Sequence, residues 1–281
     1  MTSLRMLNRV FWVLLIGFGL LAPYIIYPVF AMKLLCFGLF AEAFNLVLGY
    51  GGMLSFGHAA FFGGAAYITG YVVEFLGFPP LLGILAGTGF ALVLGALFAR
   101  LAIRHKGIYF AMITLALAQI IYFLAVQLPF TGGENGMQGI PRGHLLGLFD
   151  LSQTLVMYYT VFGIFLLGFL VIYRAIHSPF GKALTAIREN EPRAVSLGYD
   201  VDRIKLIAFT LSAALAGTAG ATKCIVFQFA TLSDVHWPLS GDVILMALIG
   251  GMGTLFGPIV GAFAIETMYQ GLSAIGSWVD V

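Results

Sequence analysis

SPFGKALTAIRENEPRAVSLGYDVDRIK, Ser178–Lys205, is a charged island in an otherwise apolar chain. From Arg174 to Lys205 six basic residues (Arg174, Lys182, Arg188, Arg193, Arg203, Lys205) stand against four acids (Glu189, Glu191, Asp200, Asp202). Ser178 before Pro179 reads as a helix start, a capping hydroxyl followed by proline at the first helical position. Ala183, Leu184, Ala186 and Ile187 supply a small apolar face at helical spacing, flanked by Lys182, Arg188 and Glu189. Pro192 disfavours helical geometry at Glu191 and so ends this helix or begins another. Asn190 or Glu191 caps a second short helix, Gly198 stops it in a left-handed turn, and Asp200 or Asp202 caps the long apolar helix that follows. The product is an amphipathic helix-turn-helix over 178–199. A connection of this length in a compact bundle is unusual unless it binds something, so the island is read as a docking surface for another protein, with an ordered connection as the alternative. Its small net charge and lack of an aromatic platform argue against nucleic acid.

The surroundings of the island set the fold class. The 281 residues are 60% hydrophobic and 9% charged, with a mean hydropathy of +1.00. A soluble domain carries roughly a quarter of its residues charged, which excludes one here. Runs of about twenty apolar residues, enough to cross a hydrocarbon core as helix, recur along the chain. The alternation that a membrane barrel needs is absent. The expectation is an all-α polytopic transmembrane bundle, a single domain over 1–281 with about eight spans or more. Spans are predicted near 11–32, 34–55, 57–76, 80–103, 107–128, 154–173 and 204–229. A last apolar region, 242–279, is broken by a glycine-rich stretch from Gly250. The first stretch exceeds a signal-peptide core and lacks a small-residue cleavage pattern, so it reads as an uncleaved span. Cys36 and Cys224 both lie in apolar segments and make no disulfide framework.

With the N-terminus inside, the inward connections hold Arg5 and Arg9, then Arg100, Arg104 and Lys106, then the six basic residues of the island. The outward loops hold Lys33 and Arg142. This asymmetry puts the N-terminus and the island in the cytoplasm.

Glycines cluster in Gly49-YGGMLSFGHAAFFGGAAY, Gly132-GENGMQG and Gly250-GMGTLFGPIVGA. The first and third share GGM, a short step to Phe-Gly, and a small-residue run. Two readings are open, a weak internal repeat of the kind transporters use near broken helices and close helix approach through small residues. Glu42, Asn45 and Gly49 stand at i, i+3 and i+7 on one helix face. A carboxylate at membrane depth faces protein or a water-filled cavity, so Glu42 either lines a translocation path or bonds a neighbouring span. With Gly52, Ser55, His58, Gly250 and Gly251 these three make up the path candidates, although a histidine such as His58 is more often a packing residue than a ligand. Lys223 and Glu266 either pair across helices or Lys223 snorkels to an interface. The remaining histidines show no metal-ligand spacing. The loop from Thr131 either folds over the outer mouth or is a plain turn. Catalytic constellations are missing, and the chain contains no phosphate loop: Gly181-Lys182 lacks the upstream glycine and the following hydroxyl.

Gly181-KALTAIRENEPRAVSLG resembles the cytoplasmic coupling segment of permease subunits in ABC importers for branched-chain amino acids. Asn45-LVLGYGGMLSFGHAAFFGGAAY, Thr131-GGENGMQGIP and Ala247-LIGGMGTLFGPIVGA agree with it, so the likeness covers about 45 to 265. Within that family the chain looks most like the shorter-looped of two paired permeases; members usually carry more membrane sequence beyond the last glycine-rich motif. The resemblance implies a permease that is not itself an enzyme, sits in the bacterial inner membrane and holds no cofactor. A second homologous permease, two cytosolic ATPases carrying ATP and Mg, and an extracytoplasmic amino-acid-binding protein would accompany it. It also implies that Gly181, Ala183, Ile187, Arg188, Glu189, Asn190, Glu191, Ala194 and Gly198 couple to the ATPases. The competing reading is an ion-coupled secondary transporter of a small polar solute working through Glu42, Glu266 or His58, which leaves the island unexplained.

Overall fold

Helix α2, Pro28–Asn45, prolonged by a π-helical turn Leu46–Tyr50, sits at the centre of the bundle, with 94% of its most apolar window buried. Glu42 and Asn45 near its end are costly against lipid, and other helices pack around this one and bury them. The computed structural model describes residue 17, residues 19–145 and residues 149–279, and for 145, 149 and 273–279 the backbone alone. Residues 19–25 are helical (α1) and are followed by a break before Pro28. Of the predicted first span, 11–32, residues 11–16 and 18 lie outside the described residues, as do Arg5 and Arg9, on which the reading of the N-terminus rested; the described part is broken at 26–27 rather than continuous. The predicted boundary at Lys33 is wrong. Pro28, preset for a helix's first turn, begins α2 five residues earlier, so Lys33 lies inside a helix rather than in a loop.

The remaining long helices follow the apolar runs closely: α3 His58–Glu74, α4 Pro80–Ala102, α5 Ile108–Gln127, α6 Thr154–Ile176 and α9 Val201–Phe227. Between α6 and α9 lie α7, Pro179–Glu189, and α8, Glu191–Ser196. The chain continues through α10, Leu232–Val235, α11, Trp237–Gly250, and α12, Gly257–Val279. Among the described residues five helices, α2 with its π turn, α4, α5, α6 and α9, are long and apolar enough to cross a membrane. The all-α expectation needs one amendment: among the described residues β1, Met137–Gln138, pairs with β4, Phe229–Ala230, and β2, His144–Leu145, with β3, Phe149–Asp150.

Helix α9 joins the layers, packing against α2, α3 and α4, while α11 and α12 pack on each other and on α2. Small residues permit this closeness in place of the hydrophobic drive that lipid removes. A Cβ at Gly220 would lie 2.0 Å from the Phe62 carbonyl oxygen, so α3 and α9 touch backbone to side-chain-free backbone. Helices α4, α5 and α6 have their windows 39, 28 and 44% buried and present long apolar side chains outward, the pattern of a lipid-facing rim.

Candidate coupling site and transport path

The island folds as the two helices its punctuation predicts. Ser178 Oγ accepts from the Gly181 amide at 3.4 Å, and Asn190 Oδ1 accepts from the Arg193 amide at 3.1 Å. Asp200 Oδ1 caps α9 through the Arg203 amide at 3.1 Å, and Gly198 takes φ +84° between α8 and α9. Asn190 rather than Glu191, and Asp200 rather than Asp202, therefore supply the caps. Ala183, Leu184 and Ile187 are buried beneath α7, and Ile187 packs with Ala194, Val201 and Ile204. Gly181 has no room for a side chain, since a Cβ there would stand 2.2 Å from the Ile176 carbonyl oxygen.

Two polar fasteners hold the helix pair to the bundle. Arg188 Nη1 donates to the Gly49 carbonyl on the π turn of α2. Glu191 bridges the Lys106 ammonium, 3.1 Å, in the α4–α5 connection and the Lys205 ammonium, 3.0 Å, on α9. Partial burial pushes the Glu191 carboxyl up, but hydrogen bonds and charge from Lys205 and Lys106 outweigh it and hold the group below its usual value near 4.5. A carboxyl acidified by folding contributes stability that is complete above its unfolded value and lost as pH falls through the folded one. The expected outcome is that protease cleavage within 178–199 stays slow at neutral pH and accelerates below about 4.5, with the acceleration absent in Glu191→Gln. Cleavage rates that do not change with pH in the unaltered protein would contradict this.

The nine predicted coupling residues thus divide by burial. Gly181, Ala183, Ile187 and Ala194 seat the helices, Arg188 and Glu191 fasten them, and Glu189, Asn190 and Gly198 remain exposed. Beside these, Val195, Leu197 and Tyr199 are exposed at 58, 68 and 45%. An apolar patch of this kind on a polar segment marks a contact surface. The sequence reading missed it, although the apolar residues set out of phase with Ala194 were its available signal.

The path candidates fall into two sets. Glu42 and Asn45 are fully buried, and Asn45 Nδ2 donates to Glu42 Oε2 at 3.1 Å and to the Thr254 carbonyl at 2.8 Å. Its Oδ1 accepts from the Gly253 amide at 2.9 Å. One side chain thereby ties the end of α2 to the break between α11 and α12. Gly51-GM and Gly250-GM both end a helix with their second glycine at positive φ, Gly52 at +67° and Gly251 at +106°, and a Phe-Gly pair then leads into the next helix. Both readings of the shared motif therefore hold locally. The turns match, and small residues also let α11 and α12 cross in backbone contact, a Cβ at Gly250 lying 1.8 Å from the Gly257 carbonyl oxygen. Asn45→Ala would leave the Gly253 amide and the Thr254 carbonyl without their partner, an expected loss of about 1–3 kcal/mol measurable as a lowered unfolding temperature in detergent. An unchanged temperature would show that the tie carries no weight.

Ser55 and His58 belong to the second set. Ser55 Oγ accepts from the Gly57 amide at 3.1 Å. Ser212 Oγ donates to the Ala43 carbonyl, so His58 Nε2, 3.0 Å away, must be the donor to Ser212, and rings of Phe44, Phe61 and Phe209 surround the imidazole. These contacts join α3 to α2 and α9. Lys223 and Glu266 do not pair with each other: Lys223 Nζ meets both Asp234 oxygens at 2.9 and 2.7 Å, and Glu266 Oε2 meets Lys33 Nζ at 2.5 Å. Asp234 also completes a capping box with Thr231, at the end of the bundle away from the island. There the loop from Thr131 is no plain turn, since Met137–Gln138 pairs with Phe229–Ala230 and Arg142 Nη2 donates to the Val226 carbonyl at 2.7 Å.

A family model described as "Branched-chain amino acid transport system / permease component" matches residues 29–281, which include the island, both GGM turns and the loop from Thr131. The chain belongs to this family of permease components. The high-affinity branched-chain amino acid transport system permease protein LivM of Escherichia coli K12 is 30% identical over 249 residues, 79% of this chain and 57% of that protein. LivM of Salmonella typhimurium is 32% identical, covering 78% of this chain and 57% of its own length. The chain thus spans little more than half the length of these curated relatives. The ribose import permease protein RbsC of Bacillus subtilis is 30% identical over 53% of this chain and 45% of its own. No solved structure matches the chain. Membership, with several apolar helices, makes this permease component a multi-pass membrane protein.

Proposed function

We propose that the chain is the permease subunit of an ATP-driven importer of branched-chain or related amino acids in a bacterial inner membrane. In this reading the 178–199 helix pair faces the cytoplasm and receives the motion of two ATP-binding subunits. A second homologous permease completes the path, and an extracytoplasmic binding protein delivers the solute. One observation carries the reading: a capped, apolar-seated helix pair is fastened by Arg188 and Glu191 to α2, α9 and the α4–α5 connection while offering an outer face of Glu189, Val195, Leu197 and Tyr199. Such a rigid knob passes displacement to the spans without deforming, which a loose connection does not. The arginine fastener ends on Gly49, one helical turn from Asn45, so a push on α7 reaches the α11–α12 break as well.

Path residues are proposed as those whose neighbours move with this tie, namely Glu42, Asn45, Gly49, Gly52, Gly250 and Gly251, together with Ser55 and His58. The LivM likeness favours leucine-type solutes, while the likeness to a ribose permease keeps the choice of solute with the delivering protein. Purification of the tagged chain from its native membrane in mild detergent tests the proposal. An ATP-binding subunit is expected to accompany it and to be lost in the triple change Val195→Ser, Leu197→Ser, Tyr199→Ser. A chain that purifies without one and transports under an ion gradient would overturn the reading in favour of a secondary transporter.

A further inference from the structure

Beneath the island lies a cavity of about 160 Å³ whose lining includes Lys106, Arg188, Lys205, His105 and Glu191. Three permanent cations stand there against one carboxylate. That carboxylate is already divided between two ammonium groups, and the Lys205 side chain is only 9% exposed. A buried cation sharing half a partner is undercompensated, so the pocket favours an incoming anion. Its depth is set by the elements around it. The π turn of α2 stops at Tyr50, α4 at Ala102, and α5 and α9 begin at Ile108 and Val201, so the cavity opens where the spans end. The remaining wall is apolar, including Met53, Leu54, Ile103 and Phe110. Outside it the α4–α5 face continues with Leu101, Ile108, Tyr109 and Met112, all more than half exposed.

We infer that this pocket binds the phosphate of an anionic membrane lipid, whose acyl chains run along the exposed α4–α5 face. A free phosphate would satisfy the cations but leave that apolar face unused, whereas a lipid satisfies both. Basic pockets between spans at the cytoplasmic interface recognise anionic headgroups in this way. The bound phosphate would share Lys106 with Glu191 and so tune how firmly the island is held. The inference rests on the membrane reading of the fold and stands whichever solute is carried.

Native mass spectrometry of the purified protein with its partner subunits, with phosphatidylglycerol or phosphatidylcholine added at equal amounts, tests it. Phosphatidylglycerol is expected to be retained preferentially, and Lys106→Gln to cut that retention about fivefold, the attraction of one basic residue to an anionic surface. Lys106→Arg should keep it. Lys106 is 67% exposed in a loop, so both variants retain the fold. Equal retention of the two lipids, or equal retention by Lys106→Gln and the unaltered protein, would overturn the site. Displacement of phosphatidylglycerol by an equal amount of inorganic phosphate would assign the pocket to a soluble anion instead of a lipid.

Discussion

Lys223→Ala is expected to destabilise the protein by about 3–5 kcal/mol, the cost of leaving a buried charge without its partner. The ammonium makes bidentate contact with Asp234 and stands 4.5 Å from the centre of the Phe229 ring. Both charged residues are about 6% exposed, so water cannot replace the missing partner. Asp234→Ala should cost a similar amount and also dismantle the capping box with Thr231. The double change Lys223→Met with Asp234→Leu should cost far less than the two single losses added, because removing both charges leaves neither stranded. Unfolding temperatures in detergent for the three variants make the measurement. A single change that unfolds with the unaltered protein would mean that the pair is not buried as described. Because this pair fixes α10 and the β1–β4 strands to α9, partial loss should appear first as proteolysis in 129–145 and 229–236.

The second large effect is functional. Glu191→Lys is expected to abolish uptake while leaving membrane insertion intact. Lys106 and Lys205 now approach one carboxylate from two sides. Substitution by lysine would gather three ammonium groups and add mutual repulsion to the loss of two partly exposed pairs worth on the order of 1 kcal/mol each. That sum is small against the stability of a large bundle, so the chain still inserts. It is large against the holding of a short helix pair, so the knob swings free. Gly181→Trp should do the same by a different route, since no side chain fits against the Ile176 carbonyl. Solute uptake by cells, with the amount of inserted protein measured alongside, is the test, and uptake at the unaltered rate in both variants would remove the coupling role.

Much of the architecture could be read in the chain because lipid imposes a simple code. Apolar runs of span length, Pro179, and the caps Ser178, Asn190 and Asp200 all act locally, and each appears where its chemistry requires, whereas the predicted first span ran through Pro28, which in fact begins a helix. The boundary misplaced at Lys33 came from treating a charge as a loop marker. Its partner Glu266, more than two hundred residues away, lets it stay inside a helix. The same blindness affected Lys223, paired in the structure with Asp234 on a short helix too small to predict. The site was half legible. The island's identity and caps followed from its own letters, whereas its fasteners, Arg188 to Gly49 and Glu191 to Lys106, depend on tertiary distance that no local pattern carries. Likewise the polar face of α2 was visible as a spacing, but its role as a tie to Gly253 and Thr254 was not.

That tie also dictates an order of events during synthesis. Asn45 emerges early, in the helix that ends up most enclosed, yet the backbone groups it binds are made 208 and 209 residues later. Until then the amide and its neighbour Glu42 are polar groups in a half-built bundle, stabilised only by each other. Arg188, the partner of Gly49, is made 139 residues after it and so before Gly253 and Thr254. The polar end of the most enclosed helix is thus completed only by residues that are made near the end of the chain.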